Sequence, residues 1–253
     1  TDAHAPYDPP AGYDTFFGPQ PGITLSDAYN LLPSNFNDFI TELYTWWLTG
    51  EPMANFSFLS EGGVQAVRYR YDADVRSMDD QLDRLVTGIR AEYPNTVVVV
   101  TGDHGEDLYY RYILGHGNTV HREMTEVPLI FNGPGIDAET RDQRVATIDL
   151  PPTLASILGL PPLPQWHGRD LLHDTTAQPV FFHNRNQFIA PVRSDAVISG
   201  NLKLIEDSFA PGPKLYDLSV DPNELNNLAG ERPDDVAALT ALLDAHRAQY
   251  DPE

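Results

Sequence analysis

The sequence predicts an α/β protein with a smaller α+β unit attached to it. An amphipathic helical pattern over residues 67–93 leads into a β-branched run at 96–101, and a second apolar run follows at 127–131. A helix that leads into a buried strand is typical of the crossovers in parallel sheets. Beyond a proline-rich link at 161–164, short strand-like runs and a final helical pattern predict the smaller unit.

The elements of the first part follow from residue periodicity. Residues 1–21 are rich in Pro, Gly and Asp without periodicity, which predicts a loop. The helix at 67–93 is predicted from apolar residues at three- and four-residue steps, and Pro94 ends it. Its apolar stripe consists of Val67, Tyr71, Val75, Met78, Leu82, Leu85, Val86 and Ile89.

Two buried strands are predicted on either side of the polar segment 102–126, the first of them buried on both faces. The first is the run 96–101, and the second, at 127–131, ends at a Gly-Pro-Gly turn. Asp149 is expected to cap a helix that closes at Gly159. The smaller unit is predicted to hold strands at 180–182, 196–199, 202–205 and 214–218 and a helix at 233–250. We therefore expect two domains, residues 1–165 and 166–253.

Composition excludes several classes of protein. The chain has 37 Asp and Glu against 16 Lys and Arg, a net charge of -21, whereas a nucleic-acid-binding protein is expected to be basic. It has no cysteine, no apolar run near the ~18 residues that span a bilayer, and no signal-peptide pattern. The acidic surface favours a soluble, cytoplasmic protein of a halophile, with an acidic mesophilic protein as the alternative.

Candidate chemistry begins directly after the first predicted strand. Asp103 and His104 lie between Gly102 and Gly105, at the strand end where open α/β sheets place their ligands. An adjacent carboxylate and imidazole can face one divalent cation. In isolation, the same pair could equally cap a turn.

Three separated motifs make the pattern more specific. The string TGDHGE, followed by GHG, Glu123 and VPLIFNGPG, resembles the sulfatase family signature around a metal-binding strand. Asp2 to Pro10, read as D-x-H-x-P-Y-x-P, resembles the family's substrate-site loop. LYDL at 215–218, DP at 221–222, Glu224 and NL at 227–228 resemble its C-terminal motif.

The resemblance implies an alkaline-phosphatase-like, mostly parallel sheet flanked by helices, with a C-terminal α+β subdomain. It makes Asp103 and His104 metal ligands, and it makes His4 and His116 active-site groups near the sulfate and the leaving oxygen. An imidazole that titrates near neutrality can donate a proton to such an oxygen or bind an anion. Taken alone, either histidine could instead be a loop residue bonded to backbone.

The chain departs from the family pattern at two positions. Many sulfatases have asparagine where His104 stands, and many have an active-site lysine after the HG motif. No lysine occurs before Lys203, and His121 could occupy that space. Because the histidine variant also occurs in related phosphonate and phosphate-ester hydrolases, such a hydrolase is an alternative, and a metal-free, non-catalytic paralogue is a second one.

The family's nucleophile motif, C-x-P-x-R or S-x-P-x-R, and two of its acidic metal ligands do not occur in the sequence. The expectation is therefore a fragment of a longer sulfatase that hydrolyses a small sulfated substrate with a formylglycine in the missing segment. The resemblance implies one divalent cation, Ca²⁺, and the imidazole ligand makes Mn²⁺ the alternative.

Overall fold

The computed structural model describes residues 7, 9–13, 61–111, 114–117, 119–186, 192–208 and 212–250. His4, most of the loop predicted at 1–21 and the segment 14–60 lie outside these residues. The chain divides into two compact units. Unit 1 contains residues 1–101, 106–116 and 128–136, and unit 2 contains 102–105, 117–127 and 137–253.

Unit 1 is built around a long helix, α1 (Glu61–Glu92), which confirms the helix predicted at 67–93. Its first half supplies the buried Val67, which packs with Leu108 and with Tyr7 of the predicted substrate-site loop. The ring of Tyr7 meets Tyr71 edge to face at 5.7 Å, and the Arg70 guanidinium donates to the Tyr7 carbonyl. Met78 and Leu85, further along the predicted stripe, are exposed.

Strands β1 (Val98–Thr101) and β4 (Leu129–Asn132) pair antiparallel in unit 1, with Val99 opposite Phe131. The expectation of parallel strands, drawn from the helix that leads into β1, therefore does not hold for this pair. Parallel strands need a crossover of about a dozen residues or more, usually a helix. The helix that the structure describes between β1 and β4, α2 (Arg122–Thr125), has four residues.

The prediction of two buried strands, the first buried on both faces, is also wrong. Residues of β4 alternate between half-buried and exposed, with Ile130 53% exposed, and Thr101 at the end of β1 is exposed. An antiparallel pair can leave one face to solvent, so it tolerates this alternation. A second antiparallel pair in unit 1 joins β2 (Asp107–Leu108) to β3 (Leu114–Gly115) inside the segment predicted as a polar loop.

Unit 2 contains a four-stranded antiparallel sheet in the order β5 (Val180–Asn186), β6 (Val192–Ser199), β7 (Leu202–Asp207) and β8 (Lys214–Asp217). Helix α4 (Pro233–Tyr250) covers one face through Leu239 and Leu243. Successive strand residues point to opposite faces, so Val197 and Leu204 join α4 while Ala196 and Ile205 face the other side with Val120. The four strands and the final helix were all predicted.

The predicted domain boundary between residues 165 and 166 falls inside unit 2. A 3-10 turn (Thr147–Asp149) leads into α3 (Leu150–Ile157), so the predicted helix is present, but the Asp149 side chain makes no capping hydrogen bond to it and that part of the prediction is wrong. The Asp149 carboxylate accepts from the backbone of Arg169, and the Thr153 hydroxyl accepts from that of Leu171. These bonds tie α3 to the residues beyond 165, so the structure does not separate the chain there. The division into 1–165 and 166–253 remains a prediction.

Candidate active site

Asp103 and His104 lie next to each other in the turn that follows β1. His104 Nδ1 is 2.9 Å from the Gly105 carbonyl oxygen, and because a carbonyl only accepts, Nδ1 carries the hydrogen. His104 Nε2 is therefore the nitrogen that carries the lone pair of the neutral ring, and it lies 3.9 Å from Asp103 Oδ1. The Asp103 side chain is 92% exposed and the His104 ring 44%.

The turn that carries this pair is held in unit 2 by a close backbone contact. Gly105 donates from its backbone to the Met124 carbonyl at 2.9 Å, which ties the turn to α2. A Cβ at Gly105 would overlap the carbonyl oxygen of Glu123. The glycine after the Asp-His pair is thus required by the close approach of two backbone segments.

The separation of the two donor atoms can be compared with the distances found around a bound cation. Protein ligand atoms lie about 2.0–2.6 Å from divalent cations. Asp103 Oδ1 and His104 Nε2, which are 3.9 Å apart, can therefore bind the same ion. A metal-binding histidine normally donates its second N–H to a carbonyl or carboxylate, and His104 makes such a bond to Gly105. The pair fits two ligand positions. Within the described residues, no group of three or more His, Cys, Asp or Glu side chains could hold a metal.

His116 lies in unit 1 and is paired with a carboxylate that the sequence pattern did not reveal. Its Nδ1 is 3.2 Å from Glu106 Oε1 and 3.4 Å from Oε2. The Glu106 side chain is 5% exposed, whereas the imidazole is 32% exposed. Glu106 contributes to raising the pKa of Tyr71, after the larger effect of burial of that phenol. The register of β2 with β3 could have revealed this pair, but the periodicity of one sequence does not show which residues of two strands lie opposite each other.

His121 belongs to a buried ionic cluster in unit 2. Its Nδ1 bonds Glu224, whose second oxygen accepts from Lys203 Nζ at 2.7 Å. All three side chains are nearly inaccessible to solvent. Burial alone would raise the pKa of Glu224, but the hydrogen bond from His121 and the charge of Lys203 outweigh it and lower that pKa. His121 is thus engaged inside the unit, which does not favour it as a replacement for a substrate-binding lysine.

The remaining histidines of unit 2 also have neighbours in the fold. His183 bonds the buried Asp195 and stacks on His246, while His167 lies against Tyr250. His173 bonds Asp170 through Nδ1, the same nitrogen that faces the Ser156 hydroxyl. A serine and a carboxylate on one ring nitrogen do not form a nucleophilic triad, in which the two partners bind opposite nitrogens.

The family model that describes sulfatases matches residues 2–160, more than half of the chain. The chain belongs to the sulfatase family. This sulfatase sequence is 28% identical over 183 residues to the uncharacterized sulfatase YidJ of Escherichia coli K12, covering 69% of the chain and 35% of that protein. It is 27% identical over 225 residues to arylsulfatase K of Mus musculus, covering 78% of the chain and 40% of the relative. The chain therefore spans well under half the length of these relatives.

Solved structures agree on the fold of this sulfatase. A 2-O GAG sulfatase superposes with a TM-score of 0.69 at 23% identity over 75% of the chain and 44% of its own length. The phosphonate monoester hydrolase SpPMH of Silicibacter pomeroyi superposes with a TM-score of 0.71 at 23% identity, over 97% of the chain and 54% of its own length. The chain has the α/β, alkaline-phosphatase-like fold of these proteins. In the part of the chain that the structure describes, no helix has the length and apolar character to cross a membrane.

Proposed function

We propose that this chain is part of a sulfatase that hydrolyses a sulfate ester with the help of one divalent cation. Family membership over residues 2–160 supports the reaction class. The observation that carries the proposal is the Asp103–His104 pair, whose Oδ1 and Nε2 lie 3.9 Å apart with Nδ1 bonded elsewhere. Such a pair offers one hard oxygen and one imidazole nitrogen to the same ion.

Asp103 and His104 would hold this cation, which when bound would neutralise negative charge on the sulfuryl group being transferred. Ca²⁺ is the ion that the family resemblance implies. Mn²⁺ is the alternative, because an imidazole ligand is softer than calcium prefers. The further acidic ligands, and a hydrated formylglycine as nucleophile, are assigned to a segment upstream of residue 1.

His116 is proposed to act on the leaving oxygen. Its ring is partly exposed and its Nδ1 is engaged by Glu106, so Nε2 can donate a proton to a departing alkoxide or phenoxide. His4 is proposed to bind the sulfate while charged, a role that rests on the loop motif of Asp2 to Pro10.

A phosphonate or phosphodiester hydrolase is the second candidate, because His104 replaces the asparagine of many sulfatases. A panel of aryl esters separates the two, using the chain extended upstream to include its nucleophile. We expect kcat/KM for the aryl sulfate to exceed that for the matched aryl phosphonate monoester and the phosphodiester. A preference for either phosphorus ester would overturn the sulfate assignment. The absence of turnover on all three would favour the non-catalytic paralogue.

The 253-residue chain serves as the comparison protein in the same assay. Two ligands replace few of the waters around a hard cation, so we expect weak metal binding and no measurable sulfate-ester turnover without the upstream segment. Calorimetric titration with CaCl₂ and MnCl₂ measures the first of these. Turnover by the 253-residue chain that is lost in Asp103→Ala would show that the chemistry does not require an upstream nucleophile.

A further inference from the structure

The register of the β2–β3 pair brings Glu106 and His116 together. Asp107 lies opposite Gly115 and Leu108 opposite Leu114, and the same register continued one step past the end of the two strands sets Glu106 across from His116. Directly opposite residues in an antiparallel pair project to the same face, with Cβ atoms about 4.5–5.5 Å apart. The strand pairing thus places a carboxylate beside an imidazole that is ten positions away in the sequence.

The contact determines which ring nitrogen of His116 carries the hydrogen. Both Glu106 oxygens face Nδ1, at 3.2 and 3.4 Å, and an ionised carboxylate only accepts hydrogen bonds. Nδ1 is therefore the donor. Nε2 then holds the lone pair of the neutral ring and the second proton of the charged ring.

The carboxylate is fixed more firmly than the ring it orients. Leu108, two residues after Glu106, is in the core of unit 1, and its carbonyl accepts from Arg68 Nε at 3.1 Å. The Arg68 guanidinium also stacks 4.0 Å over the Tyr110 ring. On the other strand, Gly115 has φ +103°, a conformation that favours glycine, directly before His116. A buried, anchored carboxylate thus faces a partly exposed imidazole.

We propose that Glu106 is a positioning residue for His116, holding Nδ1–H so that Nε2 is the nitrogen presented to the substrate. When the leaving group departs, the charged ring of His116 gives up its Nε2 proton: the N–H bond breaks with its electron pair staying on nitrogen, and an O–H bond forms on the leaving oxygen. Nδ1 keeps its own hydrogen, which stays hydrogen-bonded to Glu106 throughout. The role of His116 rests on the proposed function. The tautomer rests on the contact alone.

Nitrogen-15 NMR of the histidine-labelled chain tests the tautomer without any need for activity. At about pH 8, where an ordinary imidazole is neutral, His116 should show a protonated Nδ1 and an unprotonated Nε2, assigned by comparison with His116→Gln. Glu106→Gln, which keeps an acceptor oxygen, should preserve this pattern. Glu106→Leu should shift the ring toward the Nε2–H tautomer that an unconstrained imidazole prefers. Glu139→Leu, at an exposed carboxylate paired with Arg141, is the matched control and should change nothing.

A wild-type spectrum with Nε2 protonated in the neutral ring overturns the proposal, as does an unchanged tautomer in folded Glu106→Leu. If Glu106→Leu does not fold, the wild-type spectrum and Glu106→Gln still decide.

Kinetics of the chain extended upstream test the positioning role. Glu106→Leu should lower kcat about 10- to 100-fold with a smaller effect on KM, and Glu106→Gln should keep most of the wild-type kcat. The predicted tautomer, together with no turnover by the chain extended upstream, contradicts the proposed function and leaves this inference standing.

Discussion

Lys203 and Lys214 are the two lysines of the chain, and they lie in different environments. The Lys203 side chain is 1% exposed and bonds Glu224 at 2.7 Å, whereas that of Lys214 is 29% exposed and bonds Asp207 at 3.0 Å. Removing one partner of a buried ion pair leaves an uncompensated charge in a medium of low polarity, whereas a partly exposed partner can be solvated by water.

We therefore expect Lys203→Met to lower the free energy of unfolding by about 3–5 kcal/mol, because Glu224 stays buried with its charge. Lys214→Met is the comparison and should cost less, because water can enter the partly exposed site of Lys214 and reach Asp207, although that carboxylate is itself only 6% exposed. Urea titration of both variants measures the difference. Equal losses would mean that burial of the Glu224 cluster does not govern its energetics.

The residues of the candidate site differ in how far the sequence could predict them. Asp103 and His104 could be predicted as metal ligands from the sequence, because two neighbouring residues in one motif can be identified without knowing which strands pair. Glu106 was missed because it is one of 37 acidic residues, and its importance depends on the β2–β3 register. His121 could be taken from the sequence as a possible substitute for the family lysine, because nothing local shows that Glu224, 103 positions away, accepts from it.

Among the elements, helices and strand positions followed from periodicity, whereas strand direction did not. The helix at 233–250 was predicted with its observed bounds, since a proline start and apolar residues at three- and four-residue steps are local signals. The antiparallel pairing of β1 with β4 could not be predicted, because an apolar run of four to six residues is the same in either direction.

Asp195 connects three elements of unit 2 at a single buried carboxylate. Burial alone would raise its pKa, but hydrogen bonds from neighbouring histidine and arginine side chains outweigh it and hold that pKa well below the ordinary range. The donors lie on β5, on β6 itself and on α4: His183, Arg185, Arg193 and Arg247. A folded-state pKa below the unfolded value means that this carboxylate stabilises the fold while it is ionised.

Asp195→Asn should therefore lower the free energy of unfolding by about 3–5 kcal/mol at neutral pH. The contribution of Asp195 is fully present above the unfolded aspartate pKa of about 3.9 and is lost as pH falls from there toward the depressed folded value. The gap between wild type and Asp195→Asn should narrow as pH falls below about 4. Urea unfolding across a pH series measures it, and a gap that stays constant down to the acid limit of folding would refute this role.

Gly105 joins the Asp103–His104 turn to the segment that contains α2. A side chain there would overlap the Glu123 carbonyl oxygen, so Gly105→Ala should force a backbone shift and cost about 1–3 kcal/mol. Gly88→Ala, on α1 with nothing near its Cβ position, is the control. It should raise stability by up to about 1 kcal/mol through helix propensity. Thermal melts of both variants test the contrast, and a neutral Gly105→Ala would mean that the turn is not fixed by this contact.

At the scale of the whole molecule, the net charge of -21 is expected to dominate long-range electrostatics. Self-repulsion of a strongly acidic surface opposes folding in dilute buffer, and salt screens it. The thermal midpoint should therefore rise with KCl into the molar range, and more than it rises in a neutral osmolyte of equal osmolality. A midpoint that is flat or falls between dilute and molar KCl would remove the halophile interpretation.

The metal dependence of turnover tests the proposal that Asp103 and His104 bind the cation of a sulfate-ester hydrolase. The chain extended upstream, with the proposed formylglycine installed, would be stripped of metal by chelation and assayed on an aryl sulfate during titration with Ca²⁺ or Mn²⁺. We expect turnover that returns with the cation, falls by orders of magnitude in Asp103→Ala, and is unchanged in Asp142→Ala, at an exposed carboxylate. Turnover that persists in the stripped protein, or that Asp103→Ala leaves intact, would contradict the claim.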